Sequence, residues 1–251
     1  MSVVIQTEPH QTIQVHLADG KTLEGPRGTS AEQFLKAVAA DLPAPAVGVI
    51  VNGELHELTY PIEMEARLQP VTMSDSDGAR IYRRSLTFLL EAAFSNLFPQ
   101  AGLYIDHSVA SGGYYCEVKG RKALSLEELK RLEAEMRRLV EADLPFERSE
   151  ASVADTIVRF ERENYPDKVR LLKHRRKPYV TLYQLGDHVD YHHGYMVPST
   201  SYLKWFELTH SGGGFTLRFP RRHNPTELTP QDDFPKLLSS FRRYGDWLER
   251  L

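Results

Sequence analysis

The chain has 251 residues, 41% of them hydrophobic and 26% charged, with a net charge of −3 and a single cysteine. That length holds one large domain or two smaller ones with real cores. The near-neutral total excludes a generic polyanion binder, and Cys116, being alone, excludes an intramolecular disulfide. A lone cysteine fits a reducing cytoplasm, so a cytoplasmic protein is expected. No apolar run approaches the roughly 20 residues needed to cross a bilayer, so no membrane partner is expected. The charge is uneven. Residues 1–78 carry 4 Lys/Arg against 11 Asp/Glu, and the remainder carries 27 against 23. An acidic head on a mildly basic body predicts two domains and a body that accepts a nucleotide or nucleic acid.

Ile13, Val15 and Leu17 alternate with polar residues, as in a half-buried strand. Asp19-Gly20 predicts a hairpin turn into a short strand at 22–24. Thr29 or Ser30 is placed to cap a helix, with Glu32 and Gln33 completing a capping box and Phe34, Leu35 and Val38 facing inward. Pro43 and Pro45 end that helix. Val47, Val49 and Val51 predict a strand, Asn52-Gly53 a tight turn, and 68–71 a last short strand. Residues 73–78 read as a linker. Asp77 then caps a helix over about 79–98, with Ile81, Ser85, Phe88, Leu89 and Ala92 on one face. Strands are expected at 103–107 and, after the Gly112-Gly113 turn, up to 118. Ser125 and Glu128 form a capping box opening a helix over about 125–142. Leu126, Leu129, Leu132, Met136 and Leu139 make its buried stripe, with Glu127–Arg131 and Glu133–Arg137 as i,i+4 pairs. Next come a strand at 146–149, a helix capped by Ser152 and another with Pro166 at its first position. The rest is β-rich: 179–185, then Asp187 to Leu208, then a hairpin turning at 211–214. Asp232 or Asp233 opens a final helix. It is still amphipathic at Leu251, which favours a chain that continues further.

The order of the first seventy residues, with Val51-Asn-Gly-Glu54, resembles a TGS domain, the ubiquitin-like module at the front of threonyl-tRNA synthetases. The rest of the chain resembles the second additional domain of threonyl- and alanyl-tRNA synthetases, through Arg83-Arg-Ser-Leu-Thr-Phe-Leu-Leu90, Gly113-Tyr-Tyr115 and Tyr183 to Val197. The implied fold class is α+β: a β-grasp TGS domain over 1–72, a linker at 73–78, and an editing-like domain with an antiparallel sheet over 79–251. In editing members that domain removes the wrong amino acid from tRNA, using two His on a helix and then a Cys and a His. The resemblance puts the first pair on Phe88 and Ala92 and the second on His192 and Met196. One ligand of four remains, below the three that a catalytic zinc needs, so no metal site and no catalytic residue is expected. Val197-Pro-Ser-Thr-Ser-Tyr-Leu-Lys204, Tyr114-Tyr-Cys-Glu117 and the residues from Pro235 to Trp247 are similar to the front half of uridine-kinase-like nucleoside kinases. That likeness implies an attached or partner kinase domain, which would bring ATP and Mg. The chain itself has no Gly-x-x-x-x-Gly-Lys-Ser/Thr phosphate loop and so no cofactor of its own.

These features suggest three roles. The first is a non-catalytic module that binds a nucleotide or an RNA end. Its expected cleft is lined by Arg84, His107, Tyr114, Asp190, His192, Tyr195, Ser199, Thr200 and Lys204. Lys173, Arg175 and Arg176 are the expected phosphate contacts. The alternative is a stand-alone aminoacyl-tRNA deacylase with a rebuilt or metal-free site at His192. The third is a protein-interaction scaffold. Asp106-His107-Ser108 is too contiguous to form a hydrolytic triad. Cys116, among aromatic strand residues, reads as an inert buried thiol.

Overall fold

The computed structural model describes residues 8, 11–109, 112–163 and 165–230. The final helix expected after Asp232, and with it Pro235 to Trp247, lies outside the described residues. The first domain is a mixed sheet in the order β2-β1-β5-β3-β4. Its strands are β1 (Thr12–Leu17), β2 (Thr22–Pro26), β3 (Ala46–Val51), β4 (Glu54–His56) and β5 (Ala66–Thr72). β1 and β5 run parallel, and the other pairs are antiparallel. Asn52 and Gly53 both take positive φ, 51° and 93°, as the hairpin between β3 and β4 requires. The helix α1 (Ala31–Lys36) is only six residues long. Ser30 stands at its N-cap, but no side chain caps it, so the expected capping box does not form. Phe34 and Leu35 still enter a core with Val15, Val49, Leu58, Ile62 and Leu68.

Helix α2 (Ser76–Leu97) begins three residues earlier than expected, leaving almost no linker. Asp75, not Asp77, is the N-cap residue, and its carboxylate accepts from the Thr72 amide (2.7 Å) and hydroxyl (2.9 Å) rather than from the helix. Asp77 lies in the first turn and pairs with Arg80. The predicted face, Ile81, Ser85, Phe88, Leu89 and Ala92, is buried. So are Tyr82, Leu86, Leu90, Ala93 and Phe94, because α2 is enclosed by both domains rather than lying on one. Val47 of β3 belongs to the same core as α2, and Gly48 lets Ile81 approach the sheet closely.

Two antiparallel sheets complete the second domain. One has the order β11-β12-β7-β6, built from β6 (Gly102–Val109), β7 (Gly113–Lys119), β11 (Glu207–Ser211) and β12 (Gly214–Arg218). The other is β10-β9-β8, from β8 (Glu147–Ser152), β9 (Tyr179–Leu185) and β10 (His188–Tyr191). The glycine run 212–214 turns the β11–β12 hairpin, with Gly212 and Gly213 at positive φ. Helix α3 (Leu126–Glu141) has the predicted capping box at Ser125 and Glu128. Leu129, Leu132, Met136 and Leu139 are buried, but Leu126, in the first turn, is 65% exposed. The Glu133–Arg137 pair forms at 3.3 Å, whereas Glu127 and Arg131 make no ion pair among the described residues. Ser152 caps α4 (Val153–Arg162), and Pro166 opens α5 (Pro166–Lys173), both as expected. No helix among the described residues is long and apolar enough to cross a membrane.

The start of α2 is pinned by Gly78. A Cβ there would lie 1.9 Å from the Thr72 carbonyl oxygen, a backbone atom with no rotamer to yield. Gly78→Ala is expected to destabilise the protein by about 1–3 kcal/mol, read as a lower urea midpoint. An unchanged midpoint would contradict this packing.

Candidate functional site

Between His192 and Phe206 the chain carries one short 3₁₀ turn, Thr200–Tyr202, and no strand. This strap crosses α2, and side chains satisfy much of its backbone. Ser85, fully buried, accepts from the Val197 amide at 3.0 Å. Arg84 donates to the Tyr195 carbonyl at 2.6 Å. The Tyr82 hydroxyl donates to the Trp205 carbonyl (2.9 Å) and accepts from the Trp205 amide (3.0 Å). Glu57, from the first domain, accepts from the Met196 amide (3.3 Å) and from the Tyr183 hydroxyl. Arg137 of α3 donates to the carbonyls of Lys204 and Phe206.

Where the strap leaves β10, polar groups converge around the Phe88 ring. His188 and His192 stand edge-on to it, with centroids 4.9 and 5.3 Å away. Glu91 lies one turn along α2, its Oε2 3.7 Å from His188 Nε2. Asp190 is paired with Lys168 of α5 at 2.5 Å. Arg84 lies one turn before Phe88. Burial pulls the His192 imidazole below its ordinary pKa, against the opposing pull of Glu91 and Asp190. Burial pushes the Glu91 carboxyl up, but His188, His192 and Lys168 outweigh it, and the net shift is downward. Burial also pulls the Arg84 guanidinium down. Arg84 has no carboxylate within ion-pair distance among the described residues. Tyr195 lies beside this group, stacked on His56 at 6.4 Å and under Arg148 at 5.8 Å.

Of the expected cleft residues, the structure gathers Arg84, Asp190, His192 and Tyr195. Tyr114 of β7 is near enough to act on the Arg84 charge. The others are placed differently. Thr200 is fully buried; its hydroxyl donates to the Leu139 carbonyl (2.6 Å) and accepts from the Leu144 amide (2.9 Å), which closes the end of α3. Ser199 bonds Asp143 and Ser201 in the same turn. Lys204 is exposed, and among the described residues only its carbonyl is engaged. His107 is held by Asp106 at 2.7 Å against Tyr115 on β6–β7. Of the expected phosphate contacts, Lys173 faces Glu161 at 3.8 Å and Arg175 donates to the Tyr179 carbonyl. Cys116 is fully buried, its thiol pushed up to about 12 by burial, as an inert core group would be.

Sequence reasoning missed Glu57, Glu91 and Lys168 as members of this group. The alternation His188-x-Asp190-x-His192 signals only that those three residues share one side of an extended chain; Glu57, Glu91 and Lys168 come from other segments and carry no such signal. A second missed feature is a surface pocket of about 360 Å³ lined by Arg80, Arg83, Arg221 and Arg222, with Tyr82 and Phe219. None of its described lining residues is acidic.

Residues 13–72 match the TGS domain family. The first domain is a TGS domain. Similarity to curated relatives runs much further along the chain. The threonine–tRNA ligase of Desulforamulus reducens is 31% identical over 204 residues, which is 81% of this chain and 32% of that protein. The threonine–tRNA ligase of a Geobacter strain is 34% identical over 203 residues, with the same coverage. Threonine–tRNA ligase 2 of Bacillus subtilis is 29% identical over 204. The chain therefore spans about a third of the length of the curated relatives it matches. These relatives support a TGS domain followed by a region like that of threonyl-tRNA synthetases. They lend no support to the nucleoside-kinase resemblance, nor to a kinase partner.

The strap's seat on α2 is testable at Ser85. Ser85→Ala strands the buried Val197 amide, and a loss of about 1–3 kcal/mol is expected in chemical denaturation. A substitution without effect would mean that the strap is held elsewhere.

Proposed function

We propose that this chain binds the 3′ end of a transfer RNA, with the polar group around Phe88 and Tyr195 receiving the terminal nucleotide. One observation carries this reading. Arg84 is a half-buried cation bonded, among the described residues, to a single backbone carbonyl, set beside Tyr195 and His192. A desolvated guanidinium without a carboxylate partner is costly unless an anionic or strongly polar ligand completes it. Similarity to threonine–tRNA ligases over 81% of the chain supports tRNA as the source of that ligand. The arginine pocket adds a second anionic contact suited to the sugar–phosphate backbone.

Fluorescence anisotropy with tRNA, and with tRNA lacking its 3′-terminal nucleotides, tests the proposal. Binding that weakens on truncation is expected. Arg84→Ala should weaken it by about tenfold or more, since a hydrogen bond from a charged donor contributes about 1.5–3 kcal/mol. Absence of tRNA binding at tens of micromolar protein, or equal affinity for truncated tRNA, would overturn it. Arg80→Gln combined with Arg222→Gln should flatten the salt dependence, with the log–log slope falling by about 0.7–0.9 for each phosphate no longer neutralised. If the slope falls instead on substituting Lys173, Arg175 and Arg176, the phosphate path lies along α5.

A second reading, hydrolysis of an aminoacyl ester on tRNA, is favoured by the convergence of His192, Lys168 and Asp190 beside Phe88. Phe88 and Ala92 are core residues, 0% and 2% exposed, and supply no metal ligand. A deacylation assay with mischarged tRNA separates the two readings. Turnover abolished by His192→Ala supports hydrolysis, and binding without turnover leaves a recognition domain.

A further inference from the structure

Two polar atoms in the group around Phe88 are out of contact with solvent and make no hydrogen bond among the described residues: Glu91 Oε2 and His188 Nε2. About a quarter of the Glu91 side chain reaches the surface (26%), but Oε2 does not. The two atoms face each other at 3.7 Å, too far for a hydrogen bond and close to the roughly 3.4 Å that separates two ligands on one tetrahedral ion with bonds near 2.1 Å. A carboxylate oxygen of Asp190 completes a triangle in which all three atoms lie within 4.8 Å of one another. The elements preset this arrangement. His188 and Asp190 are two apart on β10 and so share a face. Glu91 comes from α2, one turn beyond Phe88, whose ring backs both His188 and His192.

We propose that Glu91, His188 and Asp190 form a binding site for a divalent transition-metal ion of the zinc class. The donor set, one imidazole and two carboxylates, suits a borderline ion rather than calcium, which takes six to eight oxygens. The site differs from the two ligand pairs that the editing-domain resemblance implies. Of those positions, Phe88 is apolar and Met196 is buried in the core. The bound ion would tie β10 to α2 and satisfy the two stranded atoms. Lys168 is its competitor: the ammonium sits 2.5 Å from Asp190 Oδ2, reaches in from α5, and is partly exposed, so it can swing out. The Asp190 Oδ1 atom accepts from the Tyr191 amide at 2.7 Å, which fixes the carboxylate plane.

Metal binding at this site is independent of tRNA and is read without it. The full chain, stripped with chelator, is titrated with Zn²⁺ by calorimetry and with Co²⁺ by visible absorption. One equivalent is expected, with a Co²⁺ spectrum of low coordination number. Glu91→Gln and His188→Asn should each weaken binding by at least about tenfold. Lys168→Met, which removes the competing cation, should tighten it. His16→Gln, at an exposed histidine of the TGS domain paired with Glu65, should change nothing. Should either ligand variant fail to fold, ¹¹³Cd resonance in the unsubstituted protein reads the ligand set directly, and a shift typical of oxygen and nitrogen donors is expected. No binding at a hundred micromolar metal, binding unaffected by both ligand variants, or binding weakened by Lys168→Met would each overturn the proposal.

Discussion

A chain segment with little regular secondary structure must still pair its backbone, and the strap from His192 to Phe206 does so largely with other residues' side chains, beside main-chain bonds from His192 to Thr181, from Phe146 to Pro198 and from Thr200 to Leu144. Ser85, Arg84 and Tyr82 on α2, Glu57 on the first domain and Arg137 on α3 together bond seven of its main-chain groups. A buried amide or carbonyl left without a partner costs about 1–3 kcal/mol, so these contacts are a condition for placing the strap inside the protein at all. They also explain why a helix at the centre of the molecule keeps a serine, a tyrosine and an arginine on its buried side.

The same constraint positions the candidate site. Arg84 and Ser85 hold the strap on one turn of α2, which brings His192 over Phe88 on the next turn and Glu91 under His188 on the one after. Glu57 makes the TGS domain part of this arrangement. Its carboxylate joins Met196 to Tyr183, where burial first, and then the neighbouring negative charge, raise the phenol's pKa. His56 stacks on Tyr195 from the same strand end. The small domain therefore walls the site instead of hanging from it, and this is the main physical argument against a scaffold that works through the first domain alone.

Much of the fold is legible in the sequence because its signals are local. The alternation of Ile13, Val15 and Leu17, the Asn52-Gly53 turn, the Ser125–Glu128 capping box and Pro166 each specify their own backbone. Sequence and structure part where a distant contact overrides a local pattern. Asp77 looks like a cap, but Thr72 holds Asp75 and starts the helix earlier. Leu126 fits the apolar stripe of α3, but it falls in the first turn, before the helix meets the core. The site is legible in part. Arg84 and three polar residues of one stretch, Asp190, His192 and Tyr195, do converge. Thr200 and Ser199 belong to the same stretch and close a turn instead, because two residues in a non-repeating segment can face in unrelated directions. Glu91 has no signature in the sequence: in a helix pattern it reads as a wet-side residue, and only the approach of β10 encloses its carboxylate.

Side chains of α2, Glu57 and Arg137 hold most of the strap, with main-chain bonds to other segments only at His192, Pro198 and Thr200 among the described residues, and everything placed around Phe88 depends on that. Amide hydrogen exchange at Met196 and Val197 tests it most directly. Slow exchange is expected at both, comparable with the amides of β9, with Val197 released to fast exchange in a Ser85→Ala protein whose β9 amides stay protected. Fast exchange at Met196 and Val197 in the unsubstituted protein would contradict it.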